Sequence, residues 1–373
     1  MNCGLSRTTR ATINLSNLKH NLSIARQNVA DAHCMAIIKA NGYGHGMVPI
    51  AQALSDNGSG ADAFGVACLE EAISLREAGI AQRIVLLEGF IRADDLNFIR
   101  GYNLEPVIHS HHQLEILEAD NGKPVQCWLK VDTGMHRLGF PVNEAKDAYQ
   151  RLMNCESVAK PLHMMTHLAN ADDRDDMFTQ QQCIQFKQLV DELGFDDEKS
   201  IANSAGILGW NQLCPNSHGQ WLRPGIMLYG VSPFIDSHAE DHKLKPVMTL
   251  SSELIAVNHY KKGDAVGYGG IYQCEEDMPI GVVAIGYGDG YPRHAASGTP
   301  VLINNKEVTI VGRVSMDMIT VDLRECADAK AGDEVILWGE GLPIEDIADS
   351  AGTIGYELLC GVTTRVNFVY KDE

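Results

Sequence analysis

The stretch that decides the fold is "MAIIKANGYGHG", residues 35–46. A short apolar run ends on a single lysine, Lys39, and a glycine-rich loop follows at once. Continuous apolar runs of this length suit parallel strands covered on both faces. Seven further candidates follow downstream, at 63–67, 83–89, 104–109, 125–131, 162–167, 200–203 and 221–223. Helical patterns lie between them. "LEEAISLREAG" (69–79) brings Leu69, Ala72, Ile73 and Leu75 near one face and ends on a glycine. "CIQFKQLVDELG" (183–194) spaces Phe186, Leu189, Val190 and Leu193 by three and four before Gly194. Ser16 can cap a helix running to about residue 30. Eight strand–helix units in order predict an α/β fold, a closed (β/α)8 barrel, with an open doubly wound sheet as the alternative.

The rhythm changes near Pro246. "MTLSSELIAV", "PIGVVAIGYG", "PVLINNKEVTIVGRVSMDMITVDL" and "DEVILWGE" are β-branched segments separated by turn signals, among them the Asn304-Asn305 hairpin tip. They predict a second, mostly antiparallel β domain. The expected division is 1–243 for the barrel and 244–373 for the β domain, with the strand-like 11–15 able to join the latter.

Composition narrows the function. The 373 residues are 45% apolar and 21% charged, as in an ordinary globular chain. A formal net charge of -19 without a basic run argues against nucleic-acid binding. No apolar stretch reaches the roughly 18–20 residues of a membrane span, and the N-terminus carries no apolar core of signal-peptide length. Ten scattered cysteines without a CxxC pair read as reduced thiols in a cytoplasmic protein, mostly core filler.

In a (β/α)8 barrel the reactive groups stand at the C-terminal ends of the strands. Lys39, His167, Asn203 and Arg223 all fall at such ends, with Ser204 next to Asn203, and Lys130 and Arg137 close to the end of the fifth strand. A lysine walled by apolar residues loses hydration; its pKa should fall, and the neutral amine can condense with an aldehyde. Taken alone, the same residue more readily reads as a lysine snorkelling to solvent from a strand end. Glycines 42, 44 and 46 either let a ligand approach or simply make turns. "NSAG" (203–206) and "RPGIMLYG" (223–230) offer a hydroxyl, a cation and the unobstructed amides of Gly225 and Ile226, a set able to cradle a phosphate. Lysine and cradle together suit pyridoxal 5'-phosphate. His109, His111 and His112 have no patterned carboxylate or thiol partner, so a loop or helix-cap role is expected there and no metal.

These stretches, with "KVDTGMHRLGF" (130–140), "THLANAD" (166–172), "ANSAG" (202–206), "VGYGG" (266–270), "AIGYGDGYPR" (284–293), "GRVSMDM" (312–318) and "GTIGYELLC" (352–360), closely resemble the alanine racemase family over nearly the whole chain. The resemblance implies a pyridoxal-phosphate enzyme with a barrel and a β domain that interconverts L- and D-alanine. It implies that Lys39 holds the cofactor, that Tyr43, Ser204, Tyr356 and the Gly225 and Ile226 amides bind its phosphate, and that Arg223 faces its ring nitrogen. His167 and Asn203 would line the same site. Two bases, Lys39 and Tyr268, would work on opposite faces of the substrate carbon. Tyr268 and Met316 would come from the partner subunit of a homodimer, with Arg137 and the Met316 amide on the substrate carboxylate. Lys130 matches a position often carbamylated. Asp172, Tyr287, Arg293, Arg313, Asp317 and Ile354 match the substrate corridor. Ser315 departs from the family, where cysteine is frequent. The implied role is D-alanine supply for peptidoglycan, although the sequence does not decide between that and D-alanine breakdown. Alternatives are a broader small-amino-acid racemase, acting for example on serine, and a barrel-type pyridoxal-phosphate decarboxylase, which has no need of an opposed phenol. A single-barrel cofactor carrier would lack the β domain.

Overall fold

In a computed structural model of the protein, residues 7–29, 31–55, 58–210 and 219–372 are described. Eight parallel strands close on themselves: His33–Ile37, Ala63–Val66, Arg83–Leu86, Glu105–Ile108, Trp128–Asp132, His163–Met165, Lys199–Ser200 and Gln220–Leu222. The closing register pairs Trp221 with His33 and Leu222 with Cys34, which removes the open-sheet alternative. Several strands are shorter than their apolar runs. Single bonds continue the ladder past the strand ends, as from Leu87 N to Val66 O at 2.8 Å. Phe140–Pro141 adds a two-residue strand beside Val131 and Asp132, too short to leave a pattern in the sequence.

The first helix, Leu15–Asn28, is capped by Asn14, whose side chain accepts from Asn17 N at 3.0 Å. Ser16 was the expected cap, but it falls inside the first turn, where its hydroxyl reaches Asp372. The expected helix end at residue 30 lies outside the described residues. Leu69–Glu77 and Phe178–Leu193 form as the periodicity predicts, the latter stopped by Gly194 in the left-handed region (φ 58°). Ser110 caps His111–Ala119. His109 and His112 bond the carbonyls of Glu88 and Ile91, and His111 bonds Glu144.

The floor of the barrel, at the N-terminal ends of the strands, is a polar plug. Arg83 pairs with Glu105 and Glu198 and lies 4.7 Å from the Trp221 ring centroid, while Trp128 donates to Glu105. These partly buried charges satisfy one another at the barrel floor.

The long strand Met248–Tyr260 organises the second domain. It pairs antiparallel with Met278–Val283, Glu334–Trp338 and the N-terminal strand Arg10–Asn14. Arg10–Asn14 also runs parallel to Asn367–Lys371, so the two ends of the chain meet in one sheet. The Pro300–Ile303/Lys306–Thr309 hairpin turns at Asn304 and Asn305, both at positive φ (51° and 60°). That is the backbone demanded by a two-residue hairpin loop. Two short helices, Ile344–Ala351 and Gly355–Gly361, bring the domain back over the barrel. The eight described cysteines are free thiols, six of them buried; Cys3 and Cys214 lie outside the described residues. Among the described residues no helix is long and apolar enough to cross a membrane.

Candidate active site

Immediately after Lys39 the chain reverses its hand. Ala40, Asn41, Gly42 and Tyr43 have φ of 52°, 55°, 63° and 50°, and Gly42 N and Gly44 N bond back to Ile38 O and Ala40 O at 2.8 and 3.0 Å. This is a turn of left-handed helix, costing roughly 1–2 kcal/mol for each non-glycine residue. Neighbours hold it in place. Glu71 accepts from Ala40 N at 2.7 Å and from Ala67 N at 2.8 Å, and Asn41 Oδ1 accepts from Met47 N at 3.0 Å. The glycines serve this packing. A Cβ at residue 44 would overlap the Leu359 carbonyl, and one at residue 46 the Tyr370 hydroxyl. The space beside Gly44 and Gly46 is therefore filled by the second domain, not left for a ligand.

The reversal turns Tyr43 inward. Its ring stacks on Tyr229 at 4.7 Å and lies 6.0 Å from Tyr356. Burial pushes the phenols of both Tyr43 and Tyr356 well above their usual value, so each is a hydrogen-bond donor at working pH. The Tyr43 oxygen closes on Gly225, where an added Cβ would come within 2.8 Å of it.

Across the mouth, Ser204 Oγ accepts from Gly225 N at 2.9 Å and Met227 N at 3.3 Å. A hydroxyl has two acceptor positions and one proton. Both acceptor positions are taken, so the proton is free to be donated onward. The Gly225 amide, expected to face a phosphate, is thus bonded to the serine. Asn203 caps the helix Ser204–Gly209 by accepting from Gly206 N at 2.9 Å.

Arg223, 4% exposed, ties three strand ends together. It donates to Ser200 Oγ and Thr166 O, both at 2.5 Å, to Ile201 O at 3.2 Å and to His167 Nδ1 at 3.3 Å. His167 is held far below the usual imidazole range by burial first, then by Arg223, Lys130, Arg137 and Lys39. Lys130 is pushed down to about 8 by burial, Arg223, Arg137 and Lys39, against the opposing pull of Asp132. Four cations therefore share one mouth. Asp172 acts on it as well, its charge helping to raise the Tyr356 phenol.

The remaining candidates stand elsewhere on the chain. Tyr268 is 70% exposed, Ile354 60% and Met316 52%; Tyr287, Arg293 and Arg313 are exposed too. None of their described hydrogen bonds or ring contacts joins them to Lys39. The Met316 loop is nonetheless tied down by hydrogen bonds. Met316 O accepts from Gly288 N at 2.9 Å, Ser315 O from Tyr287 N at 3.0 Å, and Asp317 from Arg365 at 2.5 Å. Behind it the fully buried Asp289 accepts from Arg7 and from Gly286 N. His45, Tyr229, Glu71, Asp289 and Arg365 were missed as contributors. Only "YGHG" and "GYGDG" hinted at two of them, because their partners lie far away in sequence.

Two family models match this chain almost end to end: the alanine racemase N-terminal domain over residues 13–233 and the alanine racemase C-terminal domain over residues 247–370. These matches place the barrel, its cationic mouth and the β domain among isomerases. The alanine racemase of Coxiella burnetii is 49% identical over 98% of this chain and 99% of its own, and that of Aeromonas hydrophila 49% over 96% and 98%. The crystal structure of the biosynthetic alanine racemase from Pseudomonas aeruginosa superposes with a TM-score of 0.92 at 42% identity, covering 98% of this chain and 99% of that one. The chain belongs to the alanine racemase family.

Proposed function

We propose that this protein interconverts L-alanine and D-alanine with pyridoxal 5'-phosphate, using one base on each face of the substrate carbon, and that it works as a homodimer with shared sites. The observation that carries the reading is the cradle: a Ser204 hydroxyl whose acceptor positions are both taken, the Tyr43 phenol closing on Gly225 where a Cβ would crowd it, and Lys39 on the same turn as Tyr43. The residues fit the cofactor. Ser204, Tyr43, Tyr356 and the Ile226 amide would hold its phosphate, Lys39 its aldehyde carbon, and Arg223 its ring nitrogen, with His167 and Asn203 behind. When bound, pyridoxal phosphate supplies an electron sink that acidifies the substrate Cα–H.

The chain's own groups do the rest. Lys39 Nζ takes or returns a proton on one face, and Tyr268 Oη from the other subunit does so on the opposite face. Arg223 does not give up its proton and so offers none to a nitrogen facing it. That keeps the sink weak and favours quick reprotonation over side reactions. Arg137 and the Met316 amide bind the substrate carboxylate. Lys130 is nucleophilic enough near neutral pH to take up CO2, and its carbamate would replace a cation beside Arg137 with an anion. Asp172, Tyr287, Arg293, Arg313, Asp317 and Ile354 line the approach. The exposed Tyr268, Ile271, Met316 and Met318 support burial against a second copy. By analogy with the biosynthetic relative, the D-alanine would feed peptidoglycan.

Chiral analysis of the purified protein incubated with a panel of L-amino acids tests this. D-alanine is expected as the dominant product. Its absence with cofactor present, or comparable turnover of serine, would contradict the reading.

A further inference from the structure

His45 is fully buried behind the lysine turn, and the proposed chemistry does not use it. Its Nδ1 lies 2.9 Å from Tyr43 O and 3.2 Å from Gly42 O. Both are carbonyl oxygens, which can only accept, so Nδ1 carries the proton. The bare Nε2 is buried with no partner among the described residues. The ring packs against Tyr229 at 4.6 Å, and Tyr229 in turn stacks on Tyr43 and donates to Ile37 O at 3.1 Å. Burial holds the imidazole down to about 4, which keeps it neutral.

Two features call for an explanation. Ala40, Asn41 and Tyr43 sit in a backbone region that side chains avoid. The buried Nε2 also has no protein partner among the described residues, so only Nδ1 ties the ring to the chain. Both follow if the imidazole is kept for its other nitrogen. We infer that His45 is a positioning residue: its Nδ1–H tethers the carbonyls of Gly42 and Tyr43, fixes the left-handed turn, and thereby aims Lys39 and Tyr43 at the cofactor. This rests on the cofactor reading above. A merely space-filling His45 would need no donor at Nδ1.

The test titrates apo-protein with pyridoxal phosphate and maps the lysine trapped by borohydride. His45→Phe keeps an aromatic ring and loses the donor; it should weaken cofactor binding about tenfold, the worth of one hydrogen bond. Adding Ala40→Gly, which relieves the positive-φ penalty, should restore much of that loss. His45→Asn keeps an N–H at a similar place and should bind close to wild type. Unchanged binding by His45→Phe, no recovery with Ala40→Gly, or a loss in His45→Asn as large as in His45→Phe would each overturn the inference. If His45→Phe fails to fold, the His45→Asn result decides alone. If wild-type protein is not trapped at Lys39, the cofactor reading itself fails and the tether falls with it. Normal wild-type trapping with an indifferent His45→Phe sinks the tether alone.

Discussion

Arg223 Nη2 donates to His167 Nδ1 at 3.3 Å, which leaves the imidazole proton on Nε2. Burial, and then the four cations nearby, hold His167 neutral, as burial holds His45. Each binds its proton only when the chain unfolds. The unfolded state therefore gains protons below about pH 6.5 while the folded state does not, and stability is lost as the pH drops, by about 1.4 kcal/mol per unit for each such group. For His45 the loss runs from about 6.5 down to about 4. Denaturant unfolding at a series of pH values should give that slope, and His45→Asn should reduce it by about one proton. An identical slope in the variant would contradict the assignment.

Gly225 makes room for the Tyr43 phenol. Gly225→Ala would put a Cβ 2.8 Å from that oxygen. Overpacking of this kind costs about 1–3 kcal/mol, or roughly 5- to 150-fold in cofactor affinity. Tyr43→Phe removes the atom that clashes, so the double variant should lose less than the sum of the two singles. Strict additivity in the cofactor titration would mean that the two residues do not meet.

Gly44→Ala should destabilise the fold by at least about 3 kcal/mol, combining the left-handed penalty with a clash against the Leu359 carbonyl. Gly79→Ala, with the same positive φ but open space around it, should cost only the first part. Equal losses in urea unfolding would show that the second domain does not clamp the lysine turn.

Lys130 should take up CO2 when bicarbonate is supplied. A carbamate carbon signal from labelled bicarbonate is expected in wild type and not in Lys130→Gln, together with a rise in KM for alanine in the variant. A wild type without the signal would leave Lys130 a plain amine.

The barrel was legible because several strands are continuous apolar runs, alternating with helical patterns, and their last residues sit where barrel chemistry occurs. The cationic mouth followed from the same rule. The left-handed turn was not legible. Ala40 and Tyr43 have no local propensity for positive φ, and of the groups that hold the turn only Asn41 and His45 are local, while Glu71, Leu359 and Tyr370 lie up to the far end of the chain. The Ser204–Gly225 bond was hidden likewise, since two pieces of one expected cradle turned out to bond each other. The polar floor around Arg83 breaks the apolar pattern and could be read only once Glu105, Glu198 and Trp221 were brought together.

The central claim is that one site draws Lys39 from one copy and Tyr268 from the other. Lys39→Ala and Tyr268→Phe proteins, each inactive alone, should be mixed, dissociated and reassociated, and racemisation then measured. Random pairing puts half of the dimers in the mixed form, each with one intact site, so about a quarter of wild-type activity should return. No recovery on mixing, with mixed dimers demonstrably formed, would contradict the shared site.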